Sequence, residues 1–447
     1  MAGKKLGKQY DPDFYYVRQW DPGLESWRAL AAEWFKNQDT AAEEKKDALD
    51  KFLNFILNEK LPLDPICIFN TDKYIPSFFG SLSVQTQKAQ RYNNLVVDFL
   101  EWCLERRFNN TTYASGEIDT SDIKLPFSKV SYTVTTSTET TKSPLPHRYI
   151  EELRHILAPG AHFKDWTWAQ GALGSDSGPK ADWFEVDPSW IGTEDPDCVF
   201  RESTRRRKGK KVPVTEMWFP GRTVALLILL HLPLRTYQVR MLDSGEADTY
   251  WYEDGQWTLN PSPMRRGDEK HPYQQGVFRR LDNPETGTTM TGIYVNTNKT
   301  TDINAQHKGY TIPWQHETVL YWLEKLRNWQ AKYNSIQEPE PWMELKPKHL
   351  KRVKYQHQLA EMGKTCFLFR DAADKNHEDT FKPIQASSFV RLWFGLLSEL
   401  EQRCWQRGET LEDGTPILFV DHDSRRKTYY SLHSLRVSLI TAYMQEG

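Results

Sequence analysis

The run from Val224 to Leu234, VALLILLHLPL, is the most apolar stretch of the chain and constrains its fold more than any other segment. It is too short to span a bilayer and contains His231 and Pro233, so it must be buried in protein. A helix over about Arg222 to Leu232 satisfies this, ended by a Pro-Leu break that is followed directly by Arg235. A helix buried on all sides needs a large core, and 447 residues suffice for two or three domains that each bury one.

The rest of the composition narrows the class. A hydrophobic share of 38% beside 26% charged residues belongs to a globular chain rather than a disordered or fibrous one. The N-terminal MAGKKLGKQYDPDF lacks the apolar region of a signal peptide. Cys67, Cys103, Cys198, Cys366 and Cys404 are scattered, with no CxxC pair. That pattern offers neither a zinc site nor a disulfide framework, and it favours a reducing cytosol. The expectation is a cytoplasmic chain with no membrane partner, no metal and no other cofactor. A formal net charge of −2 gives nucleic-acid binding no global support, although basic residues gathered on one face can still serve it.

From about Leu24 to Phe108 the pattern is helical. Thr40 to Leu61 has an N-cap at Thr40 and apolar Leu49, Phe52, Leu53 and Ile56 at spacings of three and four. A second helix over Thr86 to Arg107 carries Leu95, Val96, Phe99, Leu100 and Cys103 on one side, with Lys88 and Arg91 among its other faces. The Thr-, Ser- and Asn-rich stretch from Asn109 to Pro144 reads as a linker with one short extended piece. A helix begins near Pro146. Residues 159 to 220 read as irregular and hold the basic run Arg205, Arg206, Arg207, Lys208, Lys210 and Lys211, either a grip on a phosphate backbone or a solvated loop. Alternation over 292–298 and 309–314 predicts two strands joined by a polar turn. Helices are expected at about 315–333, at 387–407 and from Ser431 onward. Asp421-His422-Asp423 reads as a polar loop rather than a set of metal ligands. Trp190, Trp251 and Trp257 read as packing residues.

Three distant segments carry the chemistry. In LHLPLRTYQVRMLDSGEAD, Arg235 follows the buried helix. In IYVNTNKTTDINAQHKGYTIPW, Lys299 lies at the tip of the strand pair, with Lys308 as a competitor on the same hairpin. In YYSLHSLRVSLITAY, His433 and Arg436 are three apart and share a helix face. The ordered set resembles the tyrosine recombinase (phage integrase) family, with an arginine after an apolar helix, a lysine in a β-turn and an H-x-x-R pair opening a late helix. Pro233 stands where the family has glycine, and Gln238 where it has glutamate. The long spacing from Arg235 to Arg436 requires an insertion, placed around 255 to 290.

The resemblance implies a fold that is mainly α with a small β-sheet. Residues 1–110 would be a helical core-binding DNA-binding domain, 111–144 a linker, and 145–447 a mixed α/β catalytic recombinase-like domain. It also implies a site-specific DNA recombinase of a mobile element, nucleoid-associated, which acts on duplex DNA sites and self-associates there. Arg235 and Arg436 would hold the non-bridging oxygens, Lys299 would protonate the leaving 5′-oxygen, and His433 would assist. Lys88, Arg91, Arg205, Arg206, Arg207 and Lys208 are the expected DNA-backbone contacts. The family's nucleophilic tyrosine follows a Gly-His motif well beyond the second arginine. Only eleven residues follow Arg436, so the catalytic domain is expected to be incomplete and this chain inactive in strand cleavage. Tyr443, about 10 Å further along the helix, has the wrong geometry, and Tyr429 and Tyr430 precede it. The alternative is a non-catalytic DNA-binding regulator or accessory protein with the same fold.

Overall fold

The computed structural model describes residues 11–70, 74–82, 86–105, 124–131, 143–173, 181–282, 285–297, 309–350, 354–424 and 427–445. The chain divides into two compact units, Met1–Thr138 with Arg352–Gly363, and Glu139–Lys351 with Lys364–Gly447.

The first unit is helical, with α1 (Glu25–Lys36), α2 (Ala42–Asn58), α3 (Pro65–Phe69), α4 (Phe78–Ser81) and α5 (Gln87–Cys103). The three- and four-residue spacing on α2 and α5 turns Leu49, Phe52, Leu53, Ile56, Val96, Phe99 and Leu100 into a common core with Trp27 and Phe35. Thr86 caps α5 by accepting from the Ala89 N–H at 3.4 Å. The expected cap at Thr40 is not used. Helix α2 starts at Ala42 behind Ala41, which holds a left-handed φ of 56°. This entry is fixed from the distant helix α12 (Gln356–Met362) and the residue before it. The Tyr355 hydroxyl donates to the Thr40 carbonyl at 2.9 Å, and the Gln358 amide to the Asp39 carbonyl at 2.7 Å. The segment around α12, read from sequence as part of 145–447, thus packs in the first unit. Part of the interval read as linker does so too. Phe127 is buried, Asn93 donates to the Ser128 carbonyl, and Asn94 both donates to and accepts from the backbone of Val130.

The second unit holds α6 (His147–Leu157), α7 (Thr167–Ala172), α8 (Gly221–His231), α9 (Thr236–Arg240), α10 (Glu317–Tyr333), α11 (Pro347–Leu350), α13 (Ala386–Gln406) and α14 (Leu432–Gln445). Two three-stranded antiparallel sheets accompany them. One has the order β1-β3-β2, from β1 (Trp183–Val186), β2 (Phe200–Arg207) and β3 (Lys210–Trp218). The other has the order β6-β7-β8, from β6 (Phe278–Asp282), β7 (Thr289–Val295) and β8 (Tyr310–Ile312). Strands β4 (Tyr250–Glu253) and β5 (Gln256–Leu259) form a hairpin, and β9 (Glu340–Pro341) pairs with β10 (Lys364–Thr365) on either side of the α12 excursion. The fold is mainly α with small antiparallel sheets, as the sequence implied.

One interval differs from its sequence reading. Residues 159–220 are not irregular: β2 and β3 pair from Phe200↔Met217 to Arg207↔Lys210. Their outer halves are exposed on both faces, so no apolar alternation marks them. The Lys208-Gly209 turn that joins them has φ of 47° and 82°, both left-handed, the arrangement that matches strand twist in a two-residue hairpin. Residues 255–290 contain β6, which completes the second sheet.

Helix α8 is buried along its length except at His231. Its one charged residue, Arg222, is 1% exposed and lies between two carboxylates. Its guanidinium donates to Asp182 at 2.5 Å and to both oxygens of Asp371 at 2.6 and 2.7 Å. One cation between two buried acids leaves an excess negative charge, and burial raises both Asp182 and Asp371 above the ordinary carboxylate value. Burial, only partly offset by Arg222, pushes Asp182 up to about 6. Its Oδ2 has no hydrogen-bond partner among the described residues.

A carboxyl whose folded pKa is raised contributes stability that is complete below its unfolded value and is lost as pH climbs through the folded one. Relative to Asp182→Asn, the wild-type protein should therefore lose about 2 kcal/mol of unfolding free energy between roughly pH 4 and pH 6. Urea denaturation at both pH values measures this; parallel curves for the two proteins would contradict it. Arg222→Ala strands both acids and should destabilise by about 3–5 kcal/mol at neutral pH in the same assay.

Candidate functional site

A helix with no solvent at its end must satisfy its last carbonyls internally. At the C-terminus of α8, Arg154 donates to the Leu230 carbonyl through Nε at 3.1 Å and Nη2 at 2.7 Å. The Tyr443 hydroxyl, on α14, donates to the His231 carbonyl at 2.7 Å. Burial, followed by the Arg154 charge, lowers His231 to about 3, so its imidazole is neutral. The chain then turns at Pro233 and sets Arg235 in extended conformation ahead of α9.

Gln238 fixes what surrounds Arg235. Its Oε1 accepts the Arg235 backbone N–H at 2.9 Å. Its Nε2 donates to the Thr297 carbonyl at 3.2 Å and to the Tyr310 hydroxyl at 3.1 Å. Thr297 and Tyr310 stand on the two sides of the β7–β8 connection, so one buried amide ties the arginine turn to the hairpin base. Asn296 adds a bond to the Met241 carbonyl at 2.6 Å. Gly309 closes the hairpin because a Cβ there would press into the Val295 carbonyl and the Tyr294 ring. Lys299 and its competitor Lys308 lie outside the described residues, in 298–308, between these anchored ends.

The third segment arrives on α14. Ser431 and Ser434 cap its start reciprocally, each side-chain oxygen accepting the other's backbone N–H at 3.3 and 3.1 Å. His433 is exposed in the first turn, and Arg436 is half-buried one turn on. Ser438 accepts the Leu145 N–H at 2.7 Å and so ties the helix to the entry of α6. The outcome is that Arg235 and Arg436 stand within electrostatic reach of each other. Burial first, and then the Arg436 guanidinium, lower the pKa of Arg235. Among the described residues neither guanidinium has a carboxylate partner. Two uncompensated guanidiniums in a half-buried site suit an anion that offers two acceptor oxygens.

The other expected contacts divide. Arg91 pairs with Glu44 at 2.8 Å and Lys88 lies over the Tyr92 ring, both in the first unit. Arg205 binds the buried Glu216 and Arg207 binds Glu185, while Arg206 and Lys208 have no acidic partner among the described residues. Asp421-His422-Asp423 forms a turn in which His422 meets Glu401 at 2.6 Å. His349, Asp374 and Asp379 converge closely enough to ligate a cation. Lys346, Lys348 and Lys382 already neutralise those acids, which disfavours a divalent ion. The positioning bonds of Gln238, Arg154 and Tyr443 escaped sequence reasoning because most of their partners lie far away in the chain.

Two substitutions test this construction. Gln238→Ala removes both hairpin ties and should speed amide exchange at residues 293–297 and 310–312, with about 1–3 kcal/mol lost in urea. Tyr443→Phe should cost about 1 kcal/mol, from the orphaned His231 carbonyl. Unchanged exchange in the first variant, or unchanged stability in the second, would show these bonds to be dispensable.

No curated protein and no solved structure matches the chain. The model of a family described as "Putative integrase" matches residues 22–343, a span from α1 through Arg235 and the β7–β8 hairpin to β9 that stops before α13 and α14. That match covers well over half of the chain, which therefore belongs to this integrase family.

Proposed function

We propose that this integrase is a site-specific DNA recombinase of the tyrosine class, serving a mobile element, and that Arg235 and Arg436 bind the scissile phosphate. The observation that carries the reading is that Arg235 and Arg436, from distant elements, lie within electrostatic reach of each other and that neither has a carboxylate partner among the described residues. A pentacoordinate phosphorus gains negative charge on its non-bridging oxygens, and two forked guanidiniums stabilise it without a metal. His433, in the exposed first turn of α14, is suited to add a hydrogen bond or pass a proton. Lys299, on the connection held by Gln238, is the general acid of this scheme.

The reaction balances as an exchange of esters. A tyrosine hydroxyl attacks phosphorus and gives its proton to His433, the bond to the 5′-oxygen breaks, and that oxygen takes the Lys299 proton. A 3′-phosphotyrosine remains, and the 5′-hydroxyl of another strand later reverses the step. The attacking tyrosine is not assigned to a described residue; the Tyr443 hydroxyl is engaged by the His231 carbonyl. In this reading the first unit is the core-binding domain, with Lys88 on its surface, and copies of the chain assemble on paired duplex sites.

The test uses the full-length gene product and nicked suicide duplexes tiled across the DNA flanking its gene. The wild type should yield a covalent protein–DNA adduct resistant to SDS, and Arg235→Ala or Arg436→Ala should lower its rate by at least about 100-fold. Normal adduct formation by both variants would sink the assignment. Tight duplex binding without any adduct would reduce the protein to a DNA-binding factor that retains the phosphate site.

A further inference from the structure

We infer that the β2–β3 hairpin is a DNA-clamping arm, whose tip residues Arg206, Lys208, Lys210 and Lys211 contact phosphates on both sides of a duplex groove. The inference rests on the proposed DNA reading and assigns it a surface separate from the Arg235 site.

The hairpin has two electrostatic halves. Every arginine on one face of β2 is matched. Arg201 donates to Glu216 at 2.8 and 3.0 Å, Arg205 to the same carboxylate at 2.8 Å, and Arg207, beside the turn, to Glu185 at 2.6 and 2.7 Å. Burial would raise Glu216, but its bonds from Arg201 and Arg205 hold it below its ordinary value. These arginines belong to the sheet. For the other cations around the tip the compensation stops. Residues 206–211 are all exposed, and among the described residues none of the four tip cations has an acidic partner.

The register makes this costly to the free protein. Arg206 stands directly opposite Lys211, so two like charges share one face of a two-stranded ribbon. Lys208 occupies a left-handed turn position where asparagine or glycine is the ordinary choice. A lysine there and an arginine facing a lysine do nothing for the fold. Both find compensation only against an external polyanion.

The shape selects which polyanion. Arg206 and Lys211 point from one face, Lys210 from the other, and Lys208 projects at the turn. A flat anionic membrane meets one face and the tip, and the tip carries no apolar side chain to insert. A duplex groove admits a two-stranded ribbon and lines it with phosphates on both sides. Both faces are then used at once.

The experiment measures binding of the full chain to a duplex of arbitrary sequence by fluorescence anisotropy, across a salt series. Each phosphate contact adds nearly one to the slope of log affinity against log salt. Arg206→Ala with Lys211→Ala should therefore make the slope shallower by about 2 and weaken binding by the same factor on unrelated sequences. The swap Arg206→Lys with Lys211→Arg should restore both. Thermal melting of the alanine double variant should be unchanged or raised, since a like-charge pair is gone. If the wild type binds with a salt slope that the double variant keeps, the arm is wrong while the DNA reading stands. If the wild type shows no salt-dependent duplex binding, both fall. Tip-dependent binding to vesicles of anionic lipid, without duplex binding, would also overturn the inference.

Discussion

Helix α8 has no solvent-facing side, and the second unit is organised by what that requires. An all-round apolar helix has no preferred orientation from its own pattern, so its position must come from its ends. At the start Arg222 is clamped by Asp182 and Asp371, which come from far before and far after it in the chain. At the finish Arg154 and Tyr443 meet the Leu230 and His231 carbonyls. Because Tyr443 belongs to α14, the bond that finishes α8 also ties it to the helix that bears His433 and Arg436.

The chain is almost neutral overall, yet its charges are far from evenly spent. Acids are concentrated where arginines act as internal struts. Glu246 pairs with the fully buried Arg370, Glu216 with Arg201 and Arg205, and Asp379 with three lysines. Arg235, Arg436 and the four cations of the β2–β3 tip are left without carboxylates among the described residues. A net charge of −2 therefore says little about nucleic-acid affinity. The relevant quantity is the charge that remains once internal pairs are removed, and the sequence total hides it.

What could be read in advance followed from periodicity. Helices α2, α5, α10 and α13 and the β7–β8 pair carry a 3.6 or 2.0 repeat strong enough to survive without context, and α8 is marked by its unbroken apolar run. The β1-β3-β2 sheet did not, because Arg205, Arg206 and Arg207 leave both faces of β2 polar. The start of α2 was misplaced at Thr40 because Tyr355 and Gln358 impose a different entry, and no local signal reports a partner three hundred residues away. Among the candidate site residues, Arg235, His433 and Arg436 were singled out by their order and by the elements that precede them, and the fold brings the charge of Arg436 within reach of Arg235. Gln238 was legible only as a departure from a familiar pattern.

That departure has a physical reading. The side chain at 238 must accept the Arg235 backbone N–H and also donate to a carbonyl and a hydroxyl at the base of the β7–β8 connection. A glutamine does both at once. An ionised glutamate accepts only, and would face the Thr297 carbonyl with like partial charge. It would also place a carboxylate next to Arg235 and offset part of the positive field there. The amide keeps the turn and the hairpin joined and adds no negative charge beside Arg235, which has no carboxylate partner among the described residues. Glutamine thus supplies an acceptor and two donors at once, which the acid cannot.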